Sequence, residues 1–368
     1  MKKEITREIL LEAAGAFDTQ GEIVSCDPYG SGHINDTFRL VCKRPYILQR
    51  MNTEIFKNPQ ALMENIEGVT SYLRRSVMER GGDPDREALT LVRTRDGKSF
   101  YVDSQGGYWR AYLFIENATG YDQVKDANDF YQSGYSFGRF QGLLAGYPAD
   151  KLWETIPDFH NTPKRFETFK KAVKEDVCGR AGSVQAEIAF VMDRAEKMGT
   201  AQAMLAKGEL PLRVTHNDTK LNNILIDNAT GRGLCVIDLD TVMPGLSIFD
   251  YGDSIRFGAN TAAEDEPDAS KASLSLPLFE AYTKGFLEGC GKDLTENEIH
   301  MLPWGAYLMT LECGTRFLTD YLQGDTYFHI TRENHNLDRC RTQFGLAADM
   351  EKKWGQMEDI VARCAERS

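Results

Sequence analysis

The segment THNDTKLNN at residues 215–223 decides the fold of this chain, together with the sequence IDLD at residues 237–240. Asp218, Lys220 and Asn223 follow the spacing His-x-Asp-x-Lys-x-x-Asn, and Asp238 closes an apolar run further along. Phosphoryl transfer to a hydroxyl needs a carboxylate that takes the hydroxyl proton and a cation beside the moving phosphoryl group. It also needs an amide and a second carboxylate that hold Mg²⁺ on nucleotide phosphates. The pattern therefore predicts a kinase of the protein-kinase-like kind.

Asp218 is the predicted catalytic base. It lies just past a short apolar-ended strand, where a loop can present a carboxylate to a substrate hydroxyl. An aspartate in a loop is more often a turn or helix-capping residue, but its spacing from Asn223 and Asp238 favours catalysis. Lys220 is predicted to neutralise the transferring phosphoryl group, the alternative being a surface lysine.

Asn223 and Asp238 are the predicted metal ligands, because Mg²⁺ prefers oxygen donors and takes only a few from protein when phosphates supply the others. Asp240 lies two residues beyond Asp238, so it either shares the metal or is structural. His216 is interpreted as a scaffold residue that packs beneath the loop.

Size and charge limit the classes of function. A chain of 368 residues exceeds what one compact core usually holds, so two units are expected. The net charge of −12 argues against nucleic-acid or anionic-membrane partners. The eight cysteines form no Cys-x-x-Cys pair and are expected to be free thiols. Residues 1–17 are amphipathic and lack the apolar core of a signal peptide, so we expect a cytoplasmic protein.

Two patterns of hydrophobic spacing divide the chain. Strand patterns at 22–29, 33–41, 45–51, 88–93, 98–102 and 107–115 surround one helical pattern at 59–78. Helical spacing then dominates 126–146, 163–175, 183–206, 274–289, 295–323 and 336–366. The predicted fold class is α+β. It is a bilobal protein-kinase-like fold with a small antiparallel-sheet, nucleotide-binding lobe at 1–116 and a large, mainly helical lobe for catalysis and acceptor binding at 117–368.

Gly30 and Gly32 lie in the turn between the first two predicted strands. Their backbone amides could cover nucleotide phosphates, although a pair of glycines at a hairpin is usually only a turn. His33 follows directly and could face either the nucleotide or the acceptor.

With these residues, the chain resembles the aminoglycoside phosphotransferase and choline kinase superfamily, and within it the bacterial N-acetylhexosamine 1-kinases. The resemblance extends nearly from end to end and is carried by residues 28–35, 46–52, 215–225, 238–241, 249–257 and 312–322. It implies transfer of the γ-phosphate of ATP, with Mg²⁺ as cofactor, to the anomeric hydroxyl of N-acetylglucosamine or N-acetylgalactosamine. Asp218 would be the base, Asn223 and Asp238 would hold the metal, and residues 113–117 would bind adenine. We expect a small-molecule sugar substrate and a monomer or weak homodimer.

One departure from the general kinase pattern concerns the phosphate-binding lysine of the small lobe. The corresponding strand at residues 46–50 reads YILQR and contains no lysine. Gln49 or Arg50 must occupy this place, and only one can, since neighbours on a strand point to opposite faces. If Arg50 faces inward, Glu64 or Glu67 would be its partner.

The acceptor site is predicted near the helix after Pro303, which combines aromatic and hydrogen-bonding side chains. Arg316, Asp320 and Tyr321 are the predicted substrate-binding residues, with His33. Arg316 and Asp320 are four residues apart, so an intrahelical salt bridge is the alternative. An arginine in the pocket disfavours cationic acceptors, because two cations would be desolvated together. Trp304, Tyr307 and Tyr327 are further aromatic candidates.

Two alternatives are compatible with the sequence. One is a kinase of another small alcohol, such as choline, homoserine or an aminoglycoside-like compound. The other is a nucleotide-binding pseudokinase, which the missing lysine suggests and the intact set of Asp218, Lys220, Asn223 and Asp238 opposes.

Overall fold

The structure, a computed structural model, describes residues 4–30, 34–121 and 124–367. The strands are β1 Ser25–Pro28, β2 Asp36–Val41, β3 Pro45–Arg50, β4 Leu91–Val92, β5 Tyr101–Val102, β6 Tyr108–Leu113, β7 Ala118–Thr119, β8 Arg213–Thr215, β9 Ile224–Asp227, β10 Gly233–Val236 and β11 Met243–Gly245. The helices are α1 Arg7–Ala16, α2 Pro59–Glu79, α3 Pro84–Glu87, α4 Ala127–Leu143, α5 Thr162–Glu175, α6 Gln185–Met192, α7 Ala195–Met198, α8 Thr200–Ala206, α9 Ser247–Gly258, α10 Leu276–Cys290, α11 Glu296–His300, α12 Leu302–Leu322, α13 His335–Lys352 and α14 Trp354–Ala365.

The chain divides into two compact units. The first contains residues 1–119, 151–156 and 225–243, and the second contains residues 120–150, 157–224 and 244–368. The hairpin of β9 and β10 thus packs with the first unit although it follows the 215–223 loop in sequence, because β9 pairs with β7. The single domain boundary that the sequence suggests between residues 116 and 117 stays a prediction.

The first unit is built on an antiparallel sheet with the strand order β1-β2-β3-β6-β4, and β5 also pairs with β6. Alternation along β3 buries Tyr46 and Leu48 at 3% and 0% exposure, on the face that packs with Leu40 and Trp109 in one core. The other face carries Gln49, which lies opposite Thr37 on β2 and opposite Arg110 on β6. Register therefore lines up three polar side chains across three strands.

The helix α2 covers part of this unit. Asn58 caps its first turn and Pro59 is at its start, a position where the missing amide proton is not needed. Its buried side chains include Leu62, Ile66 and Val69 at 0% exposure, with the spacing of a single helix face.

The second unit is mainly helical, and α9 is one of its deeply buried helices. Every residue from Ser247 to Arg256 is buried. Gly252 allows α9 to approach α12 closely, since a Cβ atom there would lie 2.1 Å from the carbonyl oxygen of Gly305. A helix buried on all sides lacks an apolar stripe, which explains why hydrophobic spacing did not predict it.

The predicted fold class is confirmed by this arrangement of an antiparallel sheet unit and a larger helical unit. Differences lie at element boundaries. The helical pattern at 183–206 is interrupted and forms α6, α7 and α8, and the pattern at 336–366 is interrupted at Lys353 between α13 and α14. Among the described residues, no helix combines the length and the apolar composition needed to cross a lipid bilayer.

Candidate active site

The 215–223 loop of the second unit is fastened to α9 by Asp250. The backbone amides of His216 and Asn217 each donate a hydrogen bond of 2.8 Å to the Asp250 carboxylate, and the Gln141 side chain donates another of 2.7 Å. Asn217 adopts a left-handed conformation with φ of 65°, which lets two successive amides point at one carboxylate. Burial raises the pKa of Asp250, despite these bonds and the charge of His216.

Two hydroxyls complete the attachment of the loop. Thr219 donates to the carbonyl of Asp250 at 2.6 Å, and Ser254 donates to the carbonyl of Thr219 at 2.6 Å. The loop is therefore held through backbone groups over most of its length.

His216 lies beneath the loop, with 0% exposure. Its ring packs edge-on against Phe137 and Phe140, at centroid distances of 5.4 and 5.9 Å. Its Nδ1 accepts a hydrogen bond of 3.3 Å from the Asp218 amide. This is the position of a scaffold residue rather than of a proton carrier reached by substrate.

Asp218, Lys220 and Asn223 are brought together by this loop. The Lys220 ammonium lies 2.8 Å from Asp218 Oδ1, and the Asn223 amide nitrogen lies 3.0 Å from Asp218 Oδ2. The Asp218 side chain is 31% exposed, so a hydroxyl can reach it. Burial lowers the pKa of Lys220, but the charge and hydrogen bond of Asp218 outweigh burial, and the pKa is raised overall. Lys220 is therefore a cation beside the candidate base.

Asn223 has the oxygen that a magnesium ligand needs. Its amide nitrogen donates both to the Asp218 carbonyl and to the Asp218 carboxylate, and no described residue donates to its Oδ1. Within residues 4–30, 34–121 and 124–367, no cluster of three or more His, Cys, Asp or Glu side chains could hold a metal. A hard cation here would thus take few protein oxygens and most of its ligands from phosphates and water, as Mg²⁺ does on nucleotides.

In the first unit, Asp238 and Asp240 follow β10. Asp238 is left-handed, with φ of 59°. Asp240 is 4% exposed. Its Oδ1 accepts a hydrogen bond from the Arg110 guanidinium, and its Oδ2 accepts one of 2.6 Å from the Asn35 side chain. These contacts favour the structural interpretation of Asp240 over metal sharing.

Gln49 and Arg50 have different partners. Gln49 accepts a hydrogen bond of 2.9 Å from Arg110 Nε and donates one of 3.0 Å to Thr37. Arg50 forms an ion pair with Asp36 at 2.9 Å.

The α2 carboxylates bind elsewhere. Glu67 pairs with Arg93, and Glu64 accepts from Gln60 and Trp153. The partnership with either glutamate, which depended on Arg50 facing inward, is therefore not formed, because cross-strand pairing brings Asp36 closer.

Of the predicted turn residues, only Gly30 is described. It has φ of 79°, a conformation that glycine adopts readily. Gly32 and His33 lie outside the described residues, so their predicted roles stay predictions.

Arg316, on α12 of the second unit, is surrounded by aromatic rings. Its guanidinium carbon lies 5.7, 5.9 and 5.5 Å from the ring centroids of Phe159, Tyr327 and Phe328. Tyr327 is 68% exposed. The region thus offers a cation and an accessible aromatic face side by side.

Asp320 does not pair with Arg316 in the structure. It is 3% exposed. Its carboxylate accepts hydrogen bonds of 2.8 to 2.9 Å from four groups: the backbone amides of Thr326, Tyr327 and Phe328, and the side chain of Asn336. Asp320 therefore orders the loop that carries Tyr327, and the alternative of an intrahelical salt bridge with Arg316 is not formed. Direct binding of substrate by Asp320 has no support in these contacts.

The other aromatic candidates lie in different surroundings. Tyr321 is 7% exposed and lies under the guanidinium of Arg180 at 4.6 Å. Trp304 and Tyr307 pack edge-on against Trp354, beside a groove of about 530 Å³. Trp304 precedes Arg316 by twelve residues on one helix, roughly 18 Å. Trp304 and Tyr307 therefore lie in a different region from Arg316.

A network of charges connects the Asp218 loop with the Arg316 region. The charge of Asp253 helps to raise the pKa of Lys220. The charge of His160 in turn helps to lower the pKa of Asp253. His160 Nδ1 lies 2.9 Å from the buried carboxylate of Glu312, one turn before Arg316 on α12. Burial raises the pKa of Glu312, but the charge and hydrogen bond of His160 hold it below the usual value.

Sequence reasoning missed Asp250, Arg110 and Glu312 as site-forming residues. Asp250 and Glu312 fall in segments 249–257 and 312–322, which carried the family resemblance, so the resemblance was a usable signal. Arg110 lies in an ordinary alternating strand pattern with no local signal.

Comparisons with known proteins agree with the fold. A profile of the phosphotransferase enzyme family (APH) matches residues 25–283. A microcompartment-associated aminopropanol kinase superposes with a TM-score of 0.55 at 16% identity, covering 93% of this chain and 96% of that one. An aminoglycoside phosphotransferase from Alicyclobacillus acidocaldarius gives 0.63 at 11% identity, covering 99% and 98%. The amicoumacin kinase hAmiN, solved with AMP-PNP, Ca²⁺ and Ami, gives 0.59 at 13% identity, covering 93% of each chain.

The fold and the loop that joins Asp218, Lys220 and Asn223 define a small-molecule phosphotransferase. Because the family profile spans more than half of the sequence, the assignment does not depend on the distant structural relatives. The chain belongs to the phosphotransferase enzyme family.

Proposed function

We propose that the protein transfers the γ-phosphate of ATP, with Mg²⁺, to the anomeric hydroxyl of an N-acetylhexosamine, N-acetylglucosamine or N-acetylgalactosamine. The observation that carries the acceptor assignment is the placement of Arg316 among Phe159, Tyr327 and Phe328. The preference for the acetamido sugar comes from the sequence resemblance. The contacts around Arg316 support an uncharged, ring-shaped acceptor.

The charge of Arg316 favours an uncharged sugar over a cationic amino alcohol as the acceptor. In a site for an ammonium compound, aromatic faces surround the cation of the ligand. Here the protein's own guanidinium occupies that position, and a second arginine, Arg165, has its pKa lowered by burial and by the charge of Arg316. A cationic acceptor would be repelled and poorly solvated there, whereas sugar hydroxyls and an acetamido oxygen can accept hydrogen bonds from arginine.

Tyr327 supplies the apolar surface. Its exposed ring can lie against the C–H face of a sugar, and Asp320 holds its backbone amide in place. The ordered loop reduces the conformational entropy that binding would otherwise cost.

The residues of the 215–223 loop have distinct roles in this reaction. Asp218 accepts the proton of the anomeric hydroxyl as that oxygen attacks the γ-phosphorus, and the bond from this phosphorus to the β–γ bridging oxygen breaks to release ADP. Lys220 stabilises negative charge on the transferring group. Asn223 would hold the metal through Oδ1, and the carboxylate of Asp238 would be the second protein ligand that the sequence predicts. When bound, Mg²⁺ supplies neutralisation of phosphate charge.

The test is ADP release with a panel of acceptors. We expect release with N-acetylglucosamine or N-acetylgalactosamine and none with choline, ethanolamine or an aminoglycoside. Release with an amino alcohol and with no N-acetylhexosamine would reject the acceptor assignment while leaving the phosphotransferase class intact.

A substitution of Arg316 sharpens this test. Arg316→Gln removes a charge-assisted contact worth about 1.5–3 kcal/mol, so the KM for the sugar should rise roughly ten- to a hundredfold. Arg75→Gln is the matched control, since Arg75 is an exposed guanidinium that lies over the Tyr72 ring at 5.4 Å in the first unit. Equal KM values for the two variants would remove Arg316 from the acceptor site.

A further inference from the structure

We propose that Arg110 supplies the phosphate-directed cation that strand β3 lacks, so that this role has moved from β3 to the neighbouring strand β6. The inference rests on the proposed use of a nucleotide and goes beyond it, because it assigns a specific nucleotide-binding residue. Arg110 was not among the residues predicted from the sequence.

The sheet register places Arg110 beside the expected lysine position. Gln49 on β3 and Arg110 on β6 are direct cross-strand partners, so their side chains project from the same face of the sheet. The 2.9 Å hydrogen bond from Arg110 Nε to Gln49 ties the neutral side chain to the charged one. Arg50, the alternative for this position, projects to the other face and pairs with Asp36.

The guanidinium of Arg110 has a further hydrogen-bond donor, Nη2. Its Nε donates to Gln49 and its Nη1 to Asp240, while no described residue accepts a hydrogen bond from Nη2. Arg110 is 1% exposed, and the two N–H groups of Nη2 match the oxygens of a phosphate, which arginine binds well.

The neighbours of Arg110 place this donor near the candidate metal ligand. The charges of Asp240 and Asp238 both act on Arg110. Both oxygens of Asp240 already accept a hydrogen bond, Oδ1 from Arg110 and Oδ2 from Asn35 at 2.6 Å. Asp238 is the metal ligand predicted from the sequence, and its charge acts on Arg110. In protein kinases a lysine on one strand and a glutamate on a helix form the equivalent pair. Here Arg110 on β6 and Asp240 after β10 form the corresponding ion pair.

A purely structural ion pair is the competing explanation, and nucleotide binding distinguishes the two. The full-length protein is titrated in a calorimeter with ADP in the presence of Mg²⁺ and, separately, with adenosine, with no acceptor present. A phosphate contact contributes to ADP binding and not to adenosine binding. A general loss of structure weakens both.

For Arg110→Gln we expect the affinity for ADP to fall by about tenfold or more, as for loss of a charge-assisted hydrogen bond, with adenosine affinity unchanged. Arg110→Lys keeps the charge and should lose less. Arg50→Gln is the matched control and should keep the wild-type ratio of the two affinities. If Arg110→Gln does not fold, Arg110→Gln combined with Asp240→Asn removes both charges and gives the same comparison.

An unchanged ratio of ADP to adenosine affinity in a folded Arg110 variant would overturn the proposal, and so would equal weakening of both ligands. Failure of the wild-type protein to bind either ligand would instead reject the use of an adenine nucleotide. The two failures are therefore distinguishable.

Discussion

The loop at 215–223 and the turn at 238–240 are each fastened by one buried charged side chain, but in opposite ways. Asp250 holds the loop by accepting hydrogen bonds from backbone amides of His216 and Asn217. Arg110 holds the turn by binding the side chain of Asp240. The bonds to Asp250 use backbone amides, so they do not depend on the side chains of His216 and Asn217. The attachment of the turn depends on the side-chain pair of Arg110 and Asp240. The Asp250 attachment therefore leaves the loop's side chains available for chemistry.

The largest expected effect comes from the loop itself. Asp218→Asn keeps the shape of the side chain and removes the base, so kcat should fall by about 100- to 10,000-fold, with nucleotide affinity retained. Steady-state kinetics and calorimetric titration with ADP measure the two quantities. Turnover close to that of the wild type would show that Asp218 is not the base.

Breaking the attachment of the turn should have the next largest effect. Arg110→Met leaves Asp240 buried with only Asn35 as partner, and the free energy of unfolding should fall by about 3–5 kcal/mol. Denaturant unfolding measures this change. Combining Arg110→Met with Asp240→Asn should destabilise less, since no lone charge is left. A double variant less stable than the single one would contradict the pairing.

Weakening the attachment of the loop should have a smaller effect. Asp250→Asn keeps one acceptor oxygen and places an NH₂ group against a backbone amide, so we expect a loss of about 1–3 kcal/mol in unfolding free energy. Amide hydrogen exchange should also accelerate at His216 and Asn217. Asp359→Asn, at an exposed position on α14, is the control and should change neither quantity.

The smallest expected effect is a pH dependence of stability that comes from Asp227. Its pKa is lowered by folding, whereas that of Asp250 is raised. The hydrogen bond from Arg86, with those from Thr230 and Ala229, lowers the pKa of Asp227 from 3.8 to about 2. Since the pKa is lower in the folded state, the stability from Asp227 is present above about pH 3.8 and is lost as the pH falls towards 2.

Thermal unfolding from pH 7 to pH 2 tests this expectation. Asp227→Asn should unfold at a lower temperature than the wild type at neutral pH, and the two should converge near pH 2. A difference that grows as the pH falls would have the wrong sign.

Features that depend on local sequence could be predicted, whereas features that depend on distant contacts could not. The helix over 59–78 was predicted almost to the residue because its apolar spacing is a local signal. Helix α9 was missed because it is buried on all sides. The alternatives for Gln49 and Arg50 could not be resolved either, since a partner on another strand decides which side chain faces where.

The sequence by itself determined the two-unit kinase-like fold and the grouping of Asp218, Lys220 and Asn223, because a nine-residue segment places these side chains within reach of one another. Only the tertiary structure decided that Asp250 holds this loop, that Asp320 orders a loop instead of pairing with Arg316, and that Arg110 binds Asp240. Those contacts join residues up to 130 positions apart, and no spacing rule connects such residues before the chain folds.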